Sequence, residues 1–160
     1  MPIQAQVAVD IHAPAEAVWE TMVDFERYGE WNPFLVRIET VRLSPEPQVG
    51  ERLTLHVEWQ DEQGGEQRSG ERLTVYQAPV DGQDGELSYR FSGWAHGLGL
   101  VRATRVQKVS TLPNGDTRYS SVEVFRGLLS RAIPLARVQR GFEVHAQALK
   151  STVEANWSTP

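Results

Sequence analysis

The stretch DFERYGEWNPF, residues 24–34, packs four aromatic rings into eleven positions of a chain that is only 9% aromatic. Gly29 and the pair Asn32-Pro33 argue against a long helix across it, because glycine and Asn-Pro are strong breakers. The spacing predicts a second short helix over 24–30 and then a turn into a strand. On its N-terminal side the chain reads as one strand and one helix. On its C-terminal side, as far as residue 129, the chain reads as strands alone.

In the N-terminal part, Ile3, Ala5, Val7, Val9 and Ile11 alternate with Gln4, Gln6 and Asp10, the period of a half-buried strand. Ala13-Pro14-Ala15-Glu16 opens a helix, with proline in the first turn and an acid near the positive end of the dipole. Ala15, Val18, Trp19 and Met22 form its core-facing stripe. Beyond the aromatic stretch, strands are expected over 34–43, 51–60, 68–78, 86–94, 101–112 and 117–128. SPEP, DEQGGEQ, PVDGQDG, HGLG and PNGD separate them, and the last makes a tight hairpin. Residues 131–156 read as a helix whose stripe is Leu135, Val138, Phe142, His145, Leu149 and Val153. Pro134 belongs to its first turn. Gly141 lies inside it, where glycine weakens a helix by about 1 kcal/mol relative to alanine. Either something approaches the backbone there, or the glycine is simply tolerated.

Six consecutive strands on short connections imply an antiparallel meander. The expected architecture is α+β: a seven-stranded curved antiparallel sheet wrapped around a long C-terminal helix, with two short helices after the first strand. The apolar face of the sheet and the apolar stripe of the helix must cover each other. A twisted sheet of that width curls around a helix rather than lying flat on it, and the gap left between them is a candidate cavity.

At 160 residues the chain is expected to form a single domain, 1–160, with a sizeable core. It has no cysteine, which excludes disulfides and thiolate chemistry and fits a cytoplasmic location. A net charge of −5 argues against a nucleic-acid partner. One local exception is Arg126, Arg131, Arg137 and Arg140, in an acid-free segment. They form either a solvated helix face or a patch that meets an anionic ligand or a partner. No apolar run is long enough for stable membrane insertion. His12, His56, His96 and His145 fall on four different elements, so no metal site is expected. No cofactor is expected either: nucleotide-binding loops and a Gly-x-Ser-x-Gly elbow are absent.

Three stretches carry a family resemblance. APAEAVWETMVDFERYGEWNPF (13–34), LPNGDTRYSSVEVFRGLL (112–129) and GFEVHAQALKSTVEA (141–155) resemble the START-like, or SRPBCC, helix-grip superfamily, in its bacterial polyketide cyclase/dehydrase and lipid-transport branch. The resemblance covers essentially the whole chain and implies the helix-grip fold. It implies that the rings of 24–34 cap one end of the sheet; the alternative, from the usual place of apolar sites with a few polar groups, is that Trp31 and Phe34 line a pocket mouth.

The cavity wall is expected from the inward phase of each strand. Leu55, Val57 and Trp59 share one face, as do Leu87, Tyr89 and Phe91, with Val75 between them. Along the last strand Tyr119, Ser121, Glu123 and Phe125 share a face; Val138, Phe142 and His145 come from the helix. The acid–base candidates are Glu123, His145 and Tyr89, each with a plain structural reading beside it: an ion pair, a satisfied core histidine, a core ring. Arg102 or Arg105 is the expected partner of Glu123, and periodicity leaves that choice open. The leading function is binding of a small hydrophobic molecule such as a lipid, polyketide, quinone or aromatic metabolite. The alternatives are a polyketide cyclase/aromatase-like enzyme and a non-enzymatic partner-binding regulator. The chain is expected to be a monomer or a weak homodimer.

Overall fold

The computed structural model describes residues 3–41 and 44–158. The chain runs β1 (Ile3–Ile11), α1 (Ala15–Val23), α2 (Tyr28–Trp31), β2 (Leu35–Thr40), β3 (Arg52–Glu58), β4 (Glu66–Gln77), β5 (Gly85–Phe91), α3 (Trp94–Gly97), β6 (Arg102–Thr111), β7 (Thr117–Arg126) and α4 (Leu135–Trp157). One-turn 3-10 segments precede α2 and α4. The seven strands form one sheet in the order β1-β7-β6-β5-β4-β3-β2, every pairing antiparallel. The predicted meander is therefore present, and β1 closes it against β7. Residues 42 and 43, expected at the end of the strand over 34–43, lie outside the described residues.

The helix α4 packs most extensively on β1. Gln139 bridges to both backbone groups of Gln6, and Lys150 Nζ donates to the Asp10 carbonyl at 2.5 Å. These ties draw the helix towards the β1 edge. At one end α1 fills the trough, with Val18, Trp19 and Met22 buried and Trp19 set 5.3 Å from the Tyr76 ring. At the other end, under the first turns of α4, the curve from β3 to β6 keeps no such filler. A cavity remains there.

The aromatic stretch divides its labour. Tyr28 is buried, donates its hydroxyl to the Met22 carbonyl at 2.7 Å, and packs against Phe25 and Trp31. Asn32 is the pin. Its Oδ1 accepts from the backbone N–H groups of Phe34 and Leu35, both at 3.0 Å. Its Nδ2 donates to His145 Nδ1 on α4, also at 3.0 Å. One buried amide thus shapes the turn into β2 and ties it to the long helix.

Two bulges break the period-two reading of the sheet. Between Leu73 and Val75 the register shifts, so that Val75 pairs with Ser88 and Tyr76 with Leu87. A bulge exchanges the faces of every later residue on its strand. Tyr76, not Val75, therefore takes the inward side. The second bulge, between Leu35 and Arg37, lets both Leu35 and Ile38 face the core.

Candidate functional site

The cavity has a volume of about 260 Å³, near the small end of the roughly 300–1,000 Å³ usual for small-molecule sites. That size suits a compact molecule better than a two-chain lipid. β3 contributes Leu55 and Val57, joined by Trp59 just beyond it; β5 contributes Tyr89 and Phe91, β7 Glu123 and Phe125, and α4 Val138 and Phe142. Phe34 closes one side, its ring 5.9 Å from Trp59 and 6.4 Å from Phe142. Ala95, Val101, Ile133 and Pro134 complete the wall near α3 and the β7–α4 connection.

Set into this apolar wall is a polar cluster centred on Arg105. Register places Arg105 opposite both Tyr89 and Glu123 on its two neighbouring strands, and only 4% of it is exposed. The guanidinium donates from Nε to Ser121 Oγ at 2.9 Å and from Nη1 to the Tyr89 hydroxyl at 3.1 Å. It lies over the Phe142 ring at 4.1 Å. Its Nη2 is buried and has no hydrogen-bond partner among the described residues. A buried donor left unpaired is expensive, more so when it is charged. Arg102, by contrast, is exposed and faces Arg126 across the ladder.

Two acids face this cluster, the half-buried Glu123 and the buried Glu71. Glu71 accepts from Ser69 Oγ at 2.6 Å. Burial pushes its carboxyl up to about 8, against the weaker pull of that hydroxyl, and the nearby Glu123 charge adds to the rise. Burial likewise raises Glu123 to about 7, with the Arg105 charge opposing. Burial also pushes the Tyr89 phenol up. Tyr89 accepts from Arg105, so its own proton is left to give. At neutral pH the cluster is therefore rich in donors: Arg105 Nη2, the Tyr89 hydroxyl and a protonated Glu71.

The expected wall residues fall into two groups. Phe34, Leu55, Val57, Trp59, Tyr89, Phe91, Glu123, Phe125, Val138 and Phe142 line the cavity. Trp31, Val75, Leu87, Tyr119, Ser121 and His145 are not in its wall. Val75 is turned away by the bulge. Leu87 and Tyr119 are fully buried, and Tyr119 donates to Gln107 Oε1 at 2.8 Å. Ser121 stands behind Arg105 and positions it.

His145 is packed among Tyr28, Trp31 and Tyr119, stacked on the last at a 2° interplanar angle. Because Asn32 Oδ1 is occupied by two backbone donors, its amide nitrogen must face His145, whose Nδ1 is then an acceptor. The ring is neutral with its proton on Nε2. Burial, reinforced by the Arg105 charge, holds its pKa well below the usual histidine range. Its lone pair is already in use, and it does not reach the cavity. Glu71 and Ser69 are additions to the site that periodicity does not single out. The one signal for them in the sequence is that Glu71 is in phase with Leu73 on an inward face.

The sequence matches the family described as "Polyketide cyclase / dehydrase and lipid transport" over residues 2–157. No curated relative matches it. Among solved structures the chain is similar to the Zhui aromatase/cyclase from Streptomyces sp. R1128, with a TM-score of 0.75, 19% identity, and 99% of this chain and 98% of that one covered. It is similar to a START superfamily protein from Mycobacterium smegmatis at a TM-score of 0.63 and 17% identity, with 96% of each chain covered. The major latex-like protein 151 of Panax ginseng shares the fold at a TM-score of 0.69 and 9% identity, over 98% of each chain. At these identities the likeness is one of fold, and the helix-grip architecture is START-like.

Proposed function

We propose, since the chain belongs to the polyketide cyclase / dehydrase and lipid transport family and carries a donor-lined cavity, that it binds one compact, mostly apolar molecule through that molecule's oxygen acceptors. The observation that carries this reading is Arg105 Nη2, a buried cationic donor with no hydrogen-bond acceptor among the described residues. A carbonyl, phenolate or carboxylate oxygen of a guest would complete it, with Tyr89 and Glu71 as further donors. Phe34, Trp59, Phe91 and Phe142 would hold the apolar body. Native mass spectrometry of protein purified from its host should show one small oxygen-bearing molecule retained. Arg105→Met, which keeps the volume and removes the donors, should lose it. A retained hydrocarbon without acceptors, or equal retention by the variant, would refute the reading.

The two carboxyls favour a second reading, acid–base chemistry on the same guest. Groups titrating near neutrality suit proton transfer. Ring closure of a folded chain draws much of its acceleration from being held in place. On this reading Glu123→Gln keeps guest affinity and loses turnover. Stability separates that loss from damage to the fold. Glu71 keeps its proton in the native state up to about 8, whereas the unfolded chain releases it near 4.5. Wild-type stability therefore declines as pH rises through that window. Glu71→Gln has no proton to lose, so urea melts at pH 5 and pH 8 should show it gaining on wild type by on the order of several kcal/mol. A variant that loses ground at pH 8 would contradict the assigned protonation.

A further inference from the structure

Beside the end of the cavity formed by Ala95, Val101, Ile133 and Pro134, exposed apolar side chains cluster on the surface. Trp94 is 76% exposed and Leu98 69%, both in or beside α3; Leu128 is 84% and Leu129 46% exposed in the β7–α4 connection. The two segments are joined, because the Leu129 N–H donates to the Leu100 carbonyl at 2.9 Å. Gly127 sits so close that any Cβ there would lie 2.6 Å from the same carbonyl oxygen. The four apolar side chains thus stand on one braced platform. Ala95 and Ile133, near neighbours in the chain, belong to the cavity wall.

The two chain segments that carry this platform bear charges of one sign. Residues 92–115 and 124–142 contain no acid. Arg102 and Arg126 are exposed and sit directly opposite each other in the β6–β7 ladder, a pairing that repulsion disfavours. Arg131 is exposed nearby in sequence. Among the described residues none of these three has a carboxylate partner, whereas Arg137 is held by Asp61 and Arg140 by Glu143. So the arginine cluster divides: its helical half is neutralised at home, and its loop half is not.

We propose that this face docks on an anionic lipid bilayer, with Trp94, Leu98, Leu128 and Leu129 entering the interface and Arg102, Arg126 and Arg131 meeting the headgroups. Such high exposures belong to projecting tips rather than to the floor of a groove. Projecting tryptophan and leucine ringed by arginine match an interfacial anchor. An acidic protein surface would satisfy the arginines and leave the apolar tips unfilled. The contact is peripheral: among the described residues no helix is long and apolar enough to cross a membrane. The cavity mouth would open towards the lipid, but the docking stands whatever the cavity holds.

The test is co-sedimentation of the full chain with vesicles of phosphatidylcholine alone and of phosphatidylcholine mixed with phosphatidylglycerol. Wild type should sediment with the mixed vesicles, less so as salt is raised, and much less with phosphatidylcholine alone. Arg126→Glu with Arg131→Glu should weaken binding at least about 30-fold, from the usual worth of two surface arginines. Leu128→Ser with Leu129→Ser should weaken it as well, with the unfolding midpoint unchanged, since all four residues are exposed and none lines the cavity. Failure of wild type to bind mixed vesicles overturns the proposal, as does wild-type binding by either double variant. Retention on polyglutamate without binding to vesicles would also overturn it, in favour of an acidic protein partner.

Discussion

Asn32→Leu should lower the stability of the protein by about 3–5 kcal/mol, moving its thermal midpoint by on the order of 10 °C. The residue fills little volume, and a leucine of similar size would fit by shape. What is lost is the wiring. The Phe34 and Leu35 N–H groups both donate to Asn32 Oδ1 and would be left buried without an acceptor. His145 Nδ1, buried on α4, would lose the donor it has in Asn32. Three orphaned groups at roughly 1–3 kcal/mol each sum to about 3–9, and local relaxation, including a change of the His145 tautomer, holds the expectation to the lower part of that range. Asn32→Asp should be milder, because a carboxylate still accepts both backbone protons, and His145 can move its ring proton to Nδ1 to face the new oxygen. That move would be visible as a changed histidine tautomer by nitrogen NMR. Urea melts of the two variants check the order. A leucine variant within about 1 kcal/mol of wild type would mean that Asn32 does not pin the turn.

The same residues show how much of the fold is legible in the amino-acid order alone. Elements longer than two periods announce themselves: β1 is expected over 3–11 and is found at Ile3–Ile11, and the stripe from Val138 to Val153 is buried. Single turns do not. α3, one turn long, begins at Trp94, which alternation assigns to the end of the strand over 86–94, and runs into a Gly-rich connection that reads as a loop. Within the strands, alternation assigns faces correctly until a bulge intervenes, which is why it puts Val75 in the wall and misses that Tyr76 turns inward, against Trp19. The choice between Arg102 and Arg105 needs register, and register is a property of pairs of strands rather than of one. Glu71 escapes notice because an acid in a strand reads as solvent-facing. Only the sheet's curvature, which brings β4 round towards β6, shows that its neighbours are Arg105 and Glu123. Buried charge is the feature a pattern of apolar residues is least able to announce, and here it forms the candidate site.

Gly141→Ala carries the sharpest sign test. In an isolated helix the change would stabilise by about 1 kcal/mol. Here the new Cβ would lie 2.6 Å from Cδ2 of the Phe34 ring and nearer still to its outer edge, so the ring or the helix has to give. Phe34 is buried, packed against Trp59 and Phe142, and lines the cavity, which gives it room to swing. If α4 is displaced, overpacking should lower stability by about 1–3 kcal/mol. If the ring swings instead, stability stays near wild type and the cavity fills. Either way guest capacity falls, because the wall that shapes the site is the same ring that glycine accommodates. Unfolding melts and native mass spectrometry of the retained guest read the two quantities separately. A variant that is more stable by about 1 kcal/mol and still holds its guest would show that the helix grips the sheet without using this contact. The glycine would then be a tolerated residue, not the notch into which Phe34 fits.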